Sequence, residues 1–340
     1  MDQNVRVTDI DADLDPDIAQ WLIRVLPDRD PSTVEEARAY ARETNALALS
    51  HLDPLLAPAS VVDAEIPAGG DGPALPIRVL RPATTPGGSE PVTEPIPTVV
   101  YFHGGGWVVG DLDTHLGHAQ RLCTQIRAVV VSVGYRLAPE HRFPAAFDDA
   151  ARATEWVAQR LGEFGGDGRL VVAGDSVGGQ LAASVAIARR DAGQPLDAQL
   201  LLYPVTDVAG RYGNEQVNDG YMSRGSGHKR FGLTLESMVN FTTTYVDEAD
   251  SADWRVSPKR AADLAGVAPA VIHTSTLDVL RTEGNFFGDD LRAAGVEVVA
   301  REHPSLNHSY FGMGGVSAVA DAASAQAAGD LRGLLGLDPL

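Results

Sequence analysis

The stretch Gly174-Asp175-Ser176-Val177-Gly178-Gly179 limits the fold of this chain more than any other. An apolar run, Leu170-Val171-Val172-Ala173, leads into it, and an apolar, Ala-rich segment from Gln180 to Ala188 follows. The pattern predicts a buried strand, one sharp turn and a helix packed back on a sheet. In so tight a turn the serine backbone is strained and its hydroxyl stands clear of both elements. Small residues two positions either side are then a steric requirement, which Gly174 and Gly178 meet. The helix N-terminus aims N–H groups and the positive end of its dipole at whatever lies over Ser176. A bare Gly-x-Ser-x-Gly is frequent by chance, so its meaning depends on three other stretches.

The chain supplies a framework for that turn. Residues 14–28 predict a short helix with Trp21, Leu22, Val25 and Leu26 on one face, and Ser32-Thr33-Val34-Glu35 resembles a capping box opening a helix through about Leu49. Both precede any strand and must pack on something downstream. Residues 61–66 and 75–80, separated by Gly69-Gly70-Asp71-Gly72, predict an antiparallel hairpin. Residues 82–97 read as a surface loop. The buried strand Thr98–Phe102 runs into His103-Gly104-Gly105-Gly106-Trp107, and helix 114–127, strand 128–133 and helix 145–160 return the chain to the elbow. Strand 198–204 follows. Residues 208–257, with the Gly- and Ser-punctuated piece Arg224-Gly225-Ser226-Gly227, break the strand–helix rhythm. It resumes with strand 269–275, a helix over 282–294, strand 296–300 and a final Ala-rich helix. This alternation implies an α/β protein with a mainly parallel sheet and right-handed crossovers. The expected division is a core of residues 58–207 and 258–340, with residues 1–57 and the insertion 208–257 forming a cap above the sheet.

A reactive serine needs a base, a group that orients the base, and donors for a developing oxyanion. Asp278 follows a strongly apolar strand, which places it on the same sheet edge as Ser176. Asp207, after the preceding strand, is the fallback. The loop Arg301–Gly312 offers His303, close to the strand, and His308, farther out and better placed to reach Ser176; His308 is the expected base. His103-Gly104-Gly105-Gly106 is the expected oxyanion loop, because only glycine lets backbone N–H groups approach a tetrahedral centre without an intervening side chain. Gly105, Gly106 and Val177 are the expected donors. His103 is assigned to holding the loop, Asp175 to organising the elbow, Glu140 and His141 to packing under the oxyanion loop, and Glu283 to supporting the Asp278 turn. His115 and His118, i and i+3 on a helix, lack an obvious carboxylate partner in the sequence and are read as surface histidines. No metal and no cofactor is expected.

Charge and composition narrow the partners. Of 340 residues, 46 are acidic and 27 basic, a net charge of −19, which argues against nucleic acid and anionic membranes. Lysine occurs only at 229 and 259, consistent with a GC-rich genome or with adaptation to salt. The first residues, Met1 to Val5, have neither the basic nor the apolar character of a secretory leader, and no apolar run approaches a membrane span, so a soluble cytoplasmic protein is expected. Cys123, the single cysteine, excludes an intramolecular disulfide and reads as a buried structural thiol.

Together, His103–Gly110, Tyr135–Asp149, Gly174–Gly179, Leu201–Pro204, Trp254–Pro258, Leu277–Gly284 and His308–Gly312 resemble, in order, the hormone-sensitive-lipase-like (bacterial family IV) esterases of the α/β-hydrolase superfamily. The resemblance implies an eight-stranded sheet with a helical cap, hydrolysis of short- to medium-chain carboxylic esters by Ser176, His308 and Asp278, and dimers in many members. The chain departs from the family pattern at Val177 (usually Ala), whose methyls are expected to narrow the acyl site, at Val279 (usually Pro) and at Ser309 (usually Gly). Residues 213–232 look longer than usual. On this reading the rate falls on the acid side as His308 protonates, near the ordinary imidazole value of ~6.5. Two rival readings share the fold: an amidase or formamidase with the same residues, and a catalytically silent receptor.

Overall fold

The computed structural model describes residues 13–25, 31–69, 72–225 and 232–340. The distal part of the first expected helix (Leu26–Asp28), the hairpin residues Gly70 and Asp71, the piece Ser226–Gly227 and the segment Met1–Val5 lie outside the described residues.

Eight strands form one sheet in the order β1-β2-β4-β3-β5-β6-β7-β8. β1 (Ser60–Ile66) and β2 (Leu75–Arg81) make the expected antiparallel hairpin, with Ile66 opposite Leu75. β2 runs antiparallel to β4 (Val129–Val133). From β4 onward, through β3 (Ile96–Phe102), β5 (Gly166–Asp175), β6 (Ala198–Leu202), β7 (Ala270–Leu277) and β8 (Val298–Asn307), every pairing is parallel. β3, β4 and β6 are buried throughout, which is why they read as mostly apolar runs rather than alternating ones.

Period-two geometry still divides their side chains between two cores. Val99 and Tyr101 enter one with Val130, Val171, Leu200 and Leu202; it is covered by α1 (Pro16–Val25), α3 (Leu116–Ile126) and α10 (Ala318–Leu334). Val100 and Phe102 enter the other with Val131, Val133 and Val172, under α4 (Ala145–Ala158), α5 (Val177–Asp191) and α9 (Arg281–Ala293). Every residue of α5 from Val177 to Ile187 is buried, so over that stretch the helix has no solvent-facing side, and its Ala-rich composition permits close packing.

Two sequence readings shift. The cap of α2 (Val34–Ser50) sits one residue later than expected: Thr33 is the N-cap, its hydroxyl accepts from Glu36 N at 3.1 Å, and the Glu36 carboxylate accepts from Ser32 N at 2.8 Å. β8 runs to Asn307, so His303 lies on a strand and His308 directly follows its end. Parallel pairing with β7, from Ala270↔Val298 to Leu277↔Asn307, carries the strand through Pro304 and the polar residues expected to form a loop.

The 208–257 segment contains α6 (Glu215–Asn218), α7 (Met222–Gly225) and α8 (Leu235–Tyr245). A buried ion pair ties it to α9: Arg224 meets the Glu283 carboxylate, both side chains fully buried, with the guanidinium between the Tyr212 and Tyr221 rings at 4.1 Å from each. Glu283 Oε1 also accepts from Thr206 N (2.8 Å) and Tyr212 Oη (2.9 Å). Glu283 therefore anchors the inserted segment rather than the Asp278 turn. That turn is held instead by Ser223 Oγ, which donates to Val279 O at 2.8 Å, and by Leu280 N, which donates to Asp278 Oδ1 at 2.9 Å.

Candidate active site

Ser176 sits between the end of β5 and the start of α5 with φ +56° and ψ −119°. A non-glycine residue there carries strain of order 1–3 kcal/mol. The crossing leaves no room for side chains: a Cβ on Gly174 would lie 2.2 Å from the Gly178 carbonyl carbon, and one on Gly178 would lie 2.0 Å from Phe102 O. Both obstacles are backbone, so neither yields cheaply. Ser176 N donates to Leu202 O at 2.8 Å, fixing the elbow to β6.

His308 Nε2 lies 3.0 Å from Ser176 Oγ, and His308 Nδ1 lies 2.7 Å from Asp278 Oδ2. All three side chains are nearly or fully buried. The residues expected to work together thus form one hydrogen-bonded chain, assembled from the ends of β5, β7 and β8. Tyr203 meets the His308 ring edge-on at 4.9 Å between centroids.

The His103–Gly106 loop leaves β3 alongside the elbow. Gly105 and Gly106 have φ +115° and +62°. A Cβ on Gly105 would lie 2.1 Å from Val109 O, and one on Gly106 would lie 2.3 Å from the Phe241 ring of α8. Asp175 joins loop to elbow, its Oδ1 accepting from Gly104 N (2.9 Å) and Tyr101 Oη (2.6 Å). His103 Nδ1 lies 2.7 Å from Gly104 O, its ring stacks on Tyr135, and Tyr135 Oη donates to His103 O at 2.7 Å. Burial pushes the His103 pKa down. Among the described residues, the backbone N–H groups of Gly105, Gly106 and Val177 meet no acceptor within the protein. Two of them lie on the loop whose Gly104 bonds Asp175, and the third belongs to the residue that follows Ser176.

Other expected residues fall elsewhere. Asp207 is paired with Arg260 and Tyr221 and takes no part in the His308 chain. His303 bonds His273. Glu140 and His141 do not pack under the oxyanion loop: both are exposed, and Glu140 turns outward to pair with Arg38 of α2 at 2.8 Å. His115 and His118 are buried, not surface residues: His115 is the N-cap of α3 and His118 lies in its first turn, on the side that packs against the sheet. A carboxylate also completes a set with them, that of Asp175. The Val177 side chain is fully buried in the core. Ser309 adopts φ +66°, the left-handed conformation that explains why glycine is usual there.

Three supporting residues escaped the sequence reading. Arg38 donates to Val108 O (2.9 Å) and Ala138 O (3.0 Å), tying α2 to the oxyanion loop. Gln180 accepts from Trp107 Nε1 at 3.0 Å and donates to Arg255 O at 2.7 Å. Its signal was present: a polar side chain one turn after Ser176 in an otherwise apolar helix. Arg224 had none, since its partners lie in distant segments.

The sheet order, crossovers and elbow are those of an α/β hydrolase, and the family model described as alpha/beta hydrolase fold matches residues 99–312. The chain is 36% identical over 340 residues to a carboxylesterase, NlhH, of Mycobacterium tuberculosis, covering 96% of this chain and 95% of the relative. It is 34% identical over 323 residues to an ethyl acetate hydrolase of Pseudomonas putida, covering 91% and 95%. The structure of an esterase from the archaeon Pyrobaculum calidifontis superposes with a TM-score of 0.83 at 33% identity, covering 95% and 99%. The chain belongs to the hormone-sensitive-lipase-like family IV of the α/β hydrolases, and it is a carboxylic ester hydrolase. No helix among the described residues is long and apolar enough to cross a membrane.

Proposed function

We propose that this enzyme hydrolyses short- to medium-chain carboxylic esters through an acyl-enzyme on Ser176. The observation that carries the reading is the buried chain Asp278–His308–Ser176 beside three unpartnered backbone N–H groups. His308 Nε2 takes the Ser176 proton as Oγ attacks the ester carbonyl, then delivers it to the leaving alkoxide. Asp278 holds the imidazole tautomer and offsets its transient charge. The N–H groups of Gly105, Gly106 and Val177 receive the oxyanion, each worth about 3–4 kcal/mol to the transition state. A water activated by His308 releases the acid. Residues 1–57 and 208–257 act as the cap, a role supported by Phe241 against Gly106 and Arg38 against Val108. The ethyl acetate hydrolase among the relatives favours a small acyl group. A cytoplasmic location and a homodimer belong to the same reading, the latter checked by light scattering.

The test is hydrolysis of p-nitrophenyl esters from acetyl to dodecanoyl. Activity should peak at short acyl chains, and Ser176→Ala should lower kcat by on the order of 10⁴-fold or more. Asp278→Asn should also lower kcat, by about 10⁴-fold, through the wrong tautomer. Full activity in folded Ser176→Ala would remove the serine from the mechanism. Inactivity of the native chain on esters but not on acyl amides would replace the substrate class.

A further inference from the structure

Beside His103 of the oxyanion loop lies a cluster whose two histidines take no part in ester hydrolysis. His115, His118 and Asp175 each offer a ligand atom, and these atoms lie within 4.8 Å of one another, all three residues buried. Three atoms so spaced share a point no more than about 2.8 Å from each, so a contraction of at most about 0.8 Å per ligand reaches Zn–N and Zn–O bond lengths.

The hydrogen bonds around the cluster leave its inward-facing atoms without a mutual contact. Thr114 Oγ1 lies 3.0 Å from Asp111 O and 2.9 Å from His115 Nδ1; with the hydroxyl proton on Asp111 O, His115 Nδ1 is the donor in the second pair. His115 Nε2 is then a bare lone pair. It faces Asp175 Oδ2 at 3.8 Å, an acceptor opposite an acceptor and too far for a hydrogen bond. Asp175 Oδ1 is already engaged by Tyr101 and Gly104, while Oδ2 has no hydrogen-bond partner among the described residues. Among the described residues, His118 makes ring contacts with Tyr101, His115 and Phe311. Two imidazoles and one carboxylate oxygen thus face one another with no hydrogen bond between them among the described residues, an arrangement that suits an electrophile.

We propose that His115, His118 and Asp175 form a binding site for one divalent transition-metal ion of the zinc class. Two imidazoles and a carboxylate suit zinc, and Thr114 fixes the His115 tautomer as outer-shell partners of metal-bound histidines do. Arg121, one turn along α3, is neutralised by Asp321 at 2.6 Å. A small crevice between α2 and α3, lined by Asn45, Leu49, Gly117, Phe311 and Gly312, reaches His118. The ion would draw on Asp175 through Oδ2 while Oδ1 holds Gly104 N, clamping the oxyanion loop to the elbow.

The test uses the full chain, stripped with chelator and titrated with Zn²⁺ or Co²⁺. One equivalent of ion is expected, with the visible d–d absorption of tetrahedral Co(II) and a rise in thermal midpoint. His118→Gln should weaken binding by about 100-fold or more and abolish the midpoint shift, whereas His141→Gln, at an exposed histidine, should change neither. Should His118→Gln fail to fold, anomalous diffraction from zinc-soaked crystals of the native chain decides: density between His115, His118 and Asp175 supports the site, and zinc bound only elsewhere overturns it. Native protein that takes up no ion at millimolar zinc, or equal uptake by folded His118→Gln, also overturns it. None of these readouts depends on esterase activity.

Discussion

His273 and His303 form a hydrogen-bonded pair on β7 and β8, Nδ1 to Nε2 at 2.9 Å. Asp330 of α10 closes the far side, 3.0 Å from His273 Nε2, and Arg301 pairs with the same carboxylate at 2.9 Å. Tyr310 packs against the His303 ring. Burial pushes His303 down to about 4 and lowers His273 as well. In the unfolded chain both titrate near ~6.5, so between that pH and about 4 the unfolded state binds more protons. The contribution of the pair is complete above pH ~6.5 and is lost as pH falls towards 4. The thermal midpoint should therefore drop across this window, and His303→Gln should flatten the drop. Parallel midpoint–pH curves for the two proteins would locate the acid sensitivity elsewhere. At this scale sequence position served well where a residue follows a strand, since strand ends converge on one sheet edge; Ser176, Asp278 and His308 were found that way. It failed for His115 and His118. A helical pair i and i+3 shares a face, but only tertiary packing says whether that face meets water or a sheet.

At the scale of elements, the inserted segment depends on one buried charge pair. Arg224 and Glu283 are fully buried, and each satisfies further partners in the 206–224 segment. Removing one member leaves the other charge uncompensated, at a cost of about 3–5 kcal/mol. Arg224→Met should lower the urea midpoint accordingly, and Arg224→Met/Glu283→Leu should recover part of the loss. Equal destabilisation of the single and double variants would show that packing, not charge, holds the segment. None of this was legible beforehand. The βα rhythm reveals strands because their apolar runs are local, whereas the clasp joins residues 59 positions apart. The length of β8 was hidden for a similar reason: Pro304 and the charges around it read as loop until β7 is present to pair with.

Across the whole molecule, 46 acidic residues face 27 basic ones. Many arginines are tied to carboxylates, as in Arg78 with Asp63 and Asp113 or Arg136 with Asp149, yet the net charge remains −19. Exposed pairs contribute little each, and salt weakens them. Repulsion among the excess acids is the larger long-range effect and is screened by the same salt. Raising sodium chloride from about 0.05 to about 0.5 M should therefore raise the thermal midpoint. A falling midpoint would mean that the pairs outweigh the excess.

Cys123 lies fully buried on the inner face of α3 against β4, and burial raises its thiol pKa far above the usual range. A thiol so placed is inert to alkylating reagents while the fold is closed. Because the chain has no second cysteine, its modification rate is a clock for opening of that core, read on the unmodified sequence without an added probe. Any cysteine introduced at the surface would, under native conditions, be the sole point of attachment for a dye or spin label.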